Sequence, residues 1–303
     1  MKRDLISILD MEDDIEDVIA LALRVKRDRY SKRSELNGRT IGLIFEKPST
    51  RTRISLETAI TQLGGHGIYL NPNDMQMGRG ETVEDTAKVL SGFLDAITYR
   101  AFSHENVLKL ARHSSVPVIN ALDDVEHPLQ VLADFMTIAE KKGRTSNLKF
   151  SYVGDGNNMV NSLVLGCSLL GMDISIGTPK EYRPNEKFIE KAKEISRKTG
   201  SKIVTTVDPK EAVMDADIIY TDVWISMGEE KQRETKEKAF KPFQVNGDLV
   251  SGAKKDYIFM HCLPAHRGLE VTDEVADSIN SVIFQEAENR LHSAKAAFLT
   301  LMS

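Results

Sequence analysis

Short apolar runs rich in β-branched residues alternate with stretches of helical period along almost the whole chain, and this alternation narrows the possible fold more than any other feature. A first series occupies Thr40–Phe45, 67–70, 95–99 and 116–120; a second occupies Lys149–Val153, 174–176, 202–206, 217–222, 257–261 and 281–284. Strands separated by helices cannot pair as hairpins and need crossover connections, which cover a mostly parallel sheet with helices on both faces. The expected class is therefore α/β. In the first helix, Ile15, Val18, Ile19, Ala22 and Leu23 fall at i, i+3, i+4 spacing, and Lys26, Arg27 and Arg29 lie toward its C-terminal end. That pattern predicts a core-facing helix.

A length of 303 residues suits two domains, and two strand series predict two doubly wound domains. No repeat or Gly/Ser-rich linker marks the junction. The most linker-like stretch is 144–147, after a helix expected over 129–142 and a C-capping Gly143. The expected division is 1–143 and 144–286, with a closing helix over 287–303 that packs back on the first domain.

Charge and composition exclude several classes. A net charge of −5 offers no basic surface for nucleic acid, so none is expected as a partner. Two cysteines, Cys167 and Cys262, cannot staple a secreted scaffold or build a cysteine-rich zinc site. No apolar stretch approaches the roughly 18 residues of a membrane span, and Asp4 and Asp10 stand where a signal peptide is apolar. A cytoplasmic enzyme that does not engage a membrane is expected.

The strongest local signal is Ser49-Thr50-Arg51-Thr52-Arg53, after a strand and at the start of a helix. A helix N-terminus offers unpaired N–H groups and a positive dipole end; hydroxyls and guanidinium forks add to an anion site. A capped helix with two solvated arginines reads equally well. In His127-Pro128-Leu129-Gln130 a proline at the helix start leaves His127 and Gln130 one turn apart on one face, able to reach one ligand, or else simply near a cap.

Three turns follow strands of the second series: Gly154-Asp155-Gly156-Asn157-Asn158, Asp222-Val223-Trp224-Ile225-Ser226-Met227-Gly228, and His261-Cys262-Leu263-Pro264-Ala265-His266. Strand carboxyl ends are where open α/β sheets bind ligands. The first resembles a dinucleotide fingerprint, but Met159 replaces its third glycine. His261, Cys262 and His266 fit no familiar zinc spacing, so no metal is expected; Cys262 reads as a nucleophile beside a histidine or as an inert thiol.

Together these pieces resemble the aspartate/ornithine carbamoyltransferase family, from about Ile41 to Leu299. Ser49 to Arg53 looks like its carbamoyl-phosphate signature and His127 to Gln130 its second carbamoyl-phosphate segment. The Asp222 to Gly228 and His261 to Pro264 stretches are similar to its ornithine branch. The resemblance implies an N-terminal carbamoyl-phosphate domain and a C-terminal ornithine domain. It implies carbamoyl transfer from carbamoyl phosphate to L-ornithine, giving L-citrulline and phosphate, without cofactor or covalent intermediate. The resemblance places that reaction in arginine metabolism, that of arginine biosynthesis and the urea cycle, run toward citrulline or, catabolically, toward carbamoyl phosphate.

Matched residue by residue, Ser49, Thr50, Arg51 and Thr52 hold the phosphate. Thr52, Arg100 and His127 surround the carbonyl oxygen, Gln130 fixes the carbamoyl NH₂, and Arg290 adds a further carbamoyl-phosphate contact. Gln76 matches a position that reaches carbamoyl phosphate from a neighbouring subunit, in a homotrimer or an assembly of trimers. Asn158, Asp222, Ser226 and the Met227 backbone match the groups that hold the α-amino and α-carboxylate ends of ornithine. Cys262 and the Leu263 carbonyl match contacts to the reacting amine and carbamoyl group; Arg100, His127 and Cys262 are thereby the expected catalytic residues. The alternatives are a carbamoyltransferase for putrescine or a modified ornithine, and a non-catalytic dinucleotide-binding module.

Overall fold

Nine of the apolar runs form two parallel sheets. The computed structural model describes residues 2–31, 33–226 and 228–302, in two compact units: Met1–Met136 with Glu288–Ser303, and Thr137–Ala287. In the first unit β1 (Thr40–Phe45), β2 (His66–Leu70), β3 (Ala96–Arg100) and β4 (Val118–Leu122) lie in the order β2-β1-β3-β4, every pairing parallel. Central strands β1 and β3 are buried almost throughout, which is why they read as unbroken apolar runs. Ile44, Ile97, Tyr99, Val107, Leu110 and Val118 join in one core cluster.

Helix Ile15–Arg27 buries Ile15, Val18, Ile19, Ala22 and Val25. Leu23, expected in that stripe, is only half-buried; Val25, one turn on from Ala22, continues the face instead. The closing helix, Ile283–Leu301, belongs to the first unit from Glu288 onward. There Lys26 Nζ donates to Asn289 Oδ1 at 2.8 Å and Arg29 Nη1 to Glu288 Oε1 at 2.6 Å, and Phe298 and Leu301 are buried.

In the second unit β5 (Lys149–Val153), β6 (Asp173–Gly177), β7 (Ile203–Thr206), β8 (Ile218–Thr221) and β9 (Ile258–His261) are again all parallel, in the order β7-β6-β5-β8-β9. The run at 281–284 is not a strand. Ser281 makes a single bridge to Phe259, Ile283 opens the closing helix, and Phe284 is 69% exposed. A four-residue apolar run looks the same whether it pairs in a sheet or begins a buried helix.

Each sheet has one place where the strand order reverses: between β1 and β3 in the first, between β5 and β8 in the second. Chains leaving the carboxyl ends of such strands diverge and open a crevice, where α/β sheets take ligands. Every turn singled out in the sequence leaves a sheet at that end.

Candidate active site

In the first unit, Ser49 caps helix Thr50–Gln62, its Oγ accepting from Thr52 N at 3.2 Å. Thr52, 1% exposed, accepts on Oγ1 a hydrogen bond from Arg290 Nη2 at 2.5 Å. Thr50 is exposed and Arg51 half-buried on the same first turn. Among the described residues Arg51 pairs with no carboxylate, and its buried Nε has no hydrogen-bond partner. Arg53 does not join this group: its Nε donates to Glu57 Oε1 at 2.8 Å and its guanidinium lies 3.7 Å from the centre of the Tyr69 ring.

Arg100 closes β3 and is buried. His127, 4% exposed, precedes helix Pro128–Lys142. Burial holds its imidazole well below the ordinary histidine range, and the charges of Arg290 and Arg100 push it further down. The ring is therefore neutral, able to donate one N–H without adding a charge. Gln130 is buried one turn later, its N bonded to His127 O at 3.1 Å and its Nε2 donating to Asp134 Oδ1 at 2.8 Å, which sets the orientation of the amide. The group gathers two guanidinium residues around a neutral imidazole, beside a capped helix N-terminus whose first turn carries a third, Arg51, and it suits an anion that carries a polarisable carbonyl.

Gln76 is exposed before the turn Met77–Arg79 and makes no side-chain hydrogen bond to this group. Lys47 lies 4.9 Å over the Phe102 ring, with its pKa lowered by burial and by Arg100. Glu46 takes the Tyr99 hydroxyl and the Phe102 N–H, both at 2.6 Å, and so ties the end of β1 to β3. A Lys-Pro pair in a polar turn gives no sequence sign of either role.

In the second unit, Asn157 caps helix Asn158–Leu169 with its Oδ1 and donates from Nδ2 to Asp222 Oδ2 at 2.9 Å. Asp222, at the end of β8, accepts on Oδ1 from Val223 N at 2.8 Å and from the Cys262 thiol at 3.0 Å. Asn158 is half-buried at the first position of its helix, and Ser226, also half-buried, donates its N–H to Glu229 Oε2 at 3.1 Å. Met227 lies outside the described residues.

After β9, Leu263 N–H donates to His261 Nδ1 at 2.9 Å, which places the ring proton on Nε2, 3.3 Å from the buried Glu270. His261 N–H in turn donates to Glu286 Oε2 at 2.9 Å, so the turn that carries Cys262 and Leu263 is fixed from both sides.

A carboxylate oxygen, an imidazole nitrogen and a thiol from Asp222, His261 and Cys262 lie within 4.8 Å of one another. Both nitrogens of that imidazole already face the hydrogen-bond partners just named. The glycine turn is equally committed. A Cβ on Gly156 would lie 2.4–2.5 Å from backbone atoms of residues 182–184, so this glycine admits a neighbouring chain, not a pyrophosphate. The helix N-terminus beside it is filled by Asn157 and faces the Asp222 carboxylate, which opposes a dinucleotide phosphate. Cys167 and Cys262 are not joined in a disulfide.

Comparison with known proteins matches residues 3–140 to the model for the carbamoyl-P binding domain of aspartate/ornithine carbamoyltransferases, and residues 146–301 to that for the Asp/Orn binding domain. A relative from Thermoplasma volcanium, named as a catabolic ornithine carbamoyltransferase, is 65% identical over 100% of this chain and 99% of its own. An ornithine carbamoyltransferase from Picrophilus torridus is 62% identical over the whole of both chains. The solved ornithine carbamoyltransferase from Pyrococcus furiosus superposes with a TM-score of 0.96 at 50% identity, over 99% of this chain and 97% of that one. With a hydroxyl- and guanidinium-lined site in one unit and an Asp222–Cys262 site in the other, and with both of the family's domains matched in order, this chain belongs to the aspartate/ornithine carbamoyltransferase family.

Proposed function

We propose that the protein transfers the carbamoyl group of carbamoyl phosphate to the side-chain amine of L-ornithine, giving L-citrulline and phosphate by direct attack. The observation that carries this reading is the group formed by Thr52, Arg290, Arg100 and the neutral His127 at the β1/β3 crevice. Ornithine as acceptor is supported by the full-length relatives that bear the name ornithine carbamoyltransferase.

On this reading Ser49, Thr50, Arg51 and Thr52 bind the phosphate, with Arg290 holding Thr52 and the anion together. The amine lone pair attacks the carbonyl carbon, and negative charge grows on the carbonyl oxygen. Arg100, Thr52 and the His127 N–H stabilise that charge. Collapse breaks the bond between the carbonyl carbon and the phosphate oxygen, and the departing phosphate, held by the same cations, takes the proton that the attacking nitrogen loses. Gln130, its amide oriented by Asp134, fixes the carbamoyl NH₂. The imidazole works as a fixed dipole and not as a proton carrier, because burial first, and then its cationic neighbours, keep it neutral.

Asn158, Asp222, Ser226 and the Met227 backbone hold the α-amino and α-carboxylate groups of ornithine; Cys262 and the Leu263 carbonyl lie beside its side-chain amine. That amine has an unperturbed pKa of about 10, as lysine has, so the reacting species is the minor neutral form at neutral pH. A homotrimer with Gln76 serving a neighbouring subunit, a cytoplasmic location and a place in arginine metabolism complete the reading. Among the described residues no helix is long and apolar enough to cross a membrane.

Turnover with ornithine and with putrescine tests the acceptor. Asp222 has a role only if the acceptor keeps a free amino-acid end, so ornithine is expected to be the better substrate. A preference for putrescine would replace the acceptor while leaving the carbamoyl-phosphate site.

A further inference from the structure

The chain between β8 and helix Arg233–Phe240 carries Asp222 and Ser226, and its described residues form no regular element before the turn Glu230–Gln232. Its own backbone supplies Glu229 N–H to Ser226 O at 3.0 Å, and two side-chain contacts from outside it add to that. One is apolar: Trp224, 3% exposed, stacks on Phe240 with ring centres 5.9 Å apart, and Phe240 packs on Tyr182 at 4.8 Å. The other is ionic and comes from the same helix.

Lys236 stands in a helix whose other charged residues are exposed or half-buried, but it is itself 2% exposed. Its Nζ donates to Glu229 Oε2 at 2.6 Å and to Asp155 Oδ2 at 2.7 Å, and lies 5.5 Å from the centre of the Tyr182 ring. Each carboxylate leads to the site. Glu229 Oε2 also accepts the Ser226 N–H at 3.1 Å. Asp155 sits two residues before Asn157, whose amide holds Asp222 at 2.9 Å.

We infer that Lys236 is a positioning residue for ornithine binding, its buried ammonium joining the Ser226 backbone, through Glu229, to the turn that carries Asn157, through Asp155. A buried ammonium is tolerated only with paired partners, and here those partners belong to two separate loops. Without it, Glu229 and Asp155 would face each other unneutralised and repel. Burial already pushes the Asp155 carboxyl up to about 6, against the opposing pull of Lys236. The inference rests on the reading above that Asp222 and Ser226 hold ornithine.

Steady-state kinetics on Lys236→Met, Lys236→Arg, Glu229→Ala and Asp222→Asn test it. A loss of fold alone would lower the melting temperature and kcat without favouring one substrate. Positioning predicts that Lys236→Met raises the ornithine KM about tenfold or more, with the carbamoyl phosphate KM within about twofold. Lys236→Arg should recover most of the loss, and Glu229→Ala should raise the ornithine KM in the same direction. Should Lys236→Met not fold, Glu229→Ala carries the test, because Glu229 keeps 35% of its side chain exposed. An unchanged ornithine KM in these variants, or an equal rise in both KM values, overturns the inference. Asp222→Asn separates the two failures. If it raises the ornithine KM while Lys236→Met does not, only the role of Lys236 falls; if it too has no effect, the reading of the site falls and the inference with it.

Discussion

Arg290 donates from Nη2 to the Oγ1 of Thr52 at 2.5 Å, a hydrogen bond between residues 238 positions apart in the chain. The closing helix is thereby fixed to the first turn of the helix that follows β1, and both partners are buried. A guanidinium buried against a hydroxyl, with a second guanidinium whose charge also disfavours protonation of the same imidazole, can meet an anion with charge-assisted hydrogen bonds.

Arg290→Met should weaken carbamoyl phosphate binding by about two orders of magnitude, the loss of roughly 3 kcal/mol of charge-assisted hydrogen bonding. It should also raise the pKa of His127, because one of the two cations opposing the imidazolium is gone. Calorimetric titration with carbamoyl phosphate and an NMR titration of the ring check both. Unchanged affinity would remove Arg290 from the site.

Arg51→Ala should abolish saturable carbamoyl phosphate binding and leave stability within about 1 kcal/mol of the parent. Its guanidinium has no ion-pair partner among the described residues to lose. Denaturant unfolding beside the binding titration separates the two effects, and near-normal saturation would contradict the assignment.

Cys262→Ser should lower turnover without eliminating it. The thiol donates to Asp222, and a hydroxyl can do the same, although with a shorter reach. Mass spectrometry of the enzyme quenched during turnover should find no carbamoyl group on Cys262; finding one would make it a covalent nucleophile.

Much of this was legible in the sequence. The nine strands were visible because parallel sheets buried on both faces produce unbroken apolar runs, and the site turns were visible because helix caps and glycine turns have local signatures. What escaped depends on contacts between distant segments. Arg53 reads like Arg51, but the helix turns it onto Glu57 and Tyr69. Lys236 reads as one more solvated charge in a highly charged helix, and only the approach of Tyr182 and Asp155 buries it. The run at 281–284 is too short for its period to separate a strand from a helix start.

A separate prediction concerns stability. His104 Nδ1 lies 2.6 Å from Asp123 Oδ2, and that hydrogen bond raises the histidine pKa above its ordinary value. A folded-state pKa above the unfolded one means the added stability is fully present below about pH 6.5 and is lost as pH rises through the folded value. His104→Gln should therefore cost roughly 1 kcal/mol at pH 6 and less at pH 9. Urea unfolding at the two pH values measures it; an equal cost at both would show that the charge of His104 is irrelevant.

The central claim is direct attack by a neutral side-chain amine on carbamoyl phosphate held beside a His127 whose pKa lies well below the ordinary histidine range. Citrulline and phosphate formation, followed together from ornithine and carbamoyl phosphate between about pH 6 and 10, tests it most directly. The account predicts equal amounts of both products and a kcat/KM for ornithine that climbs as the amine deprotonates, with no inflection from His127. Phosphate release without citrulline, or a rate that falls across that range, would contradict it.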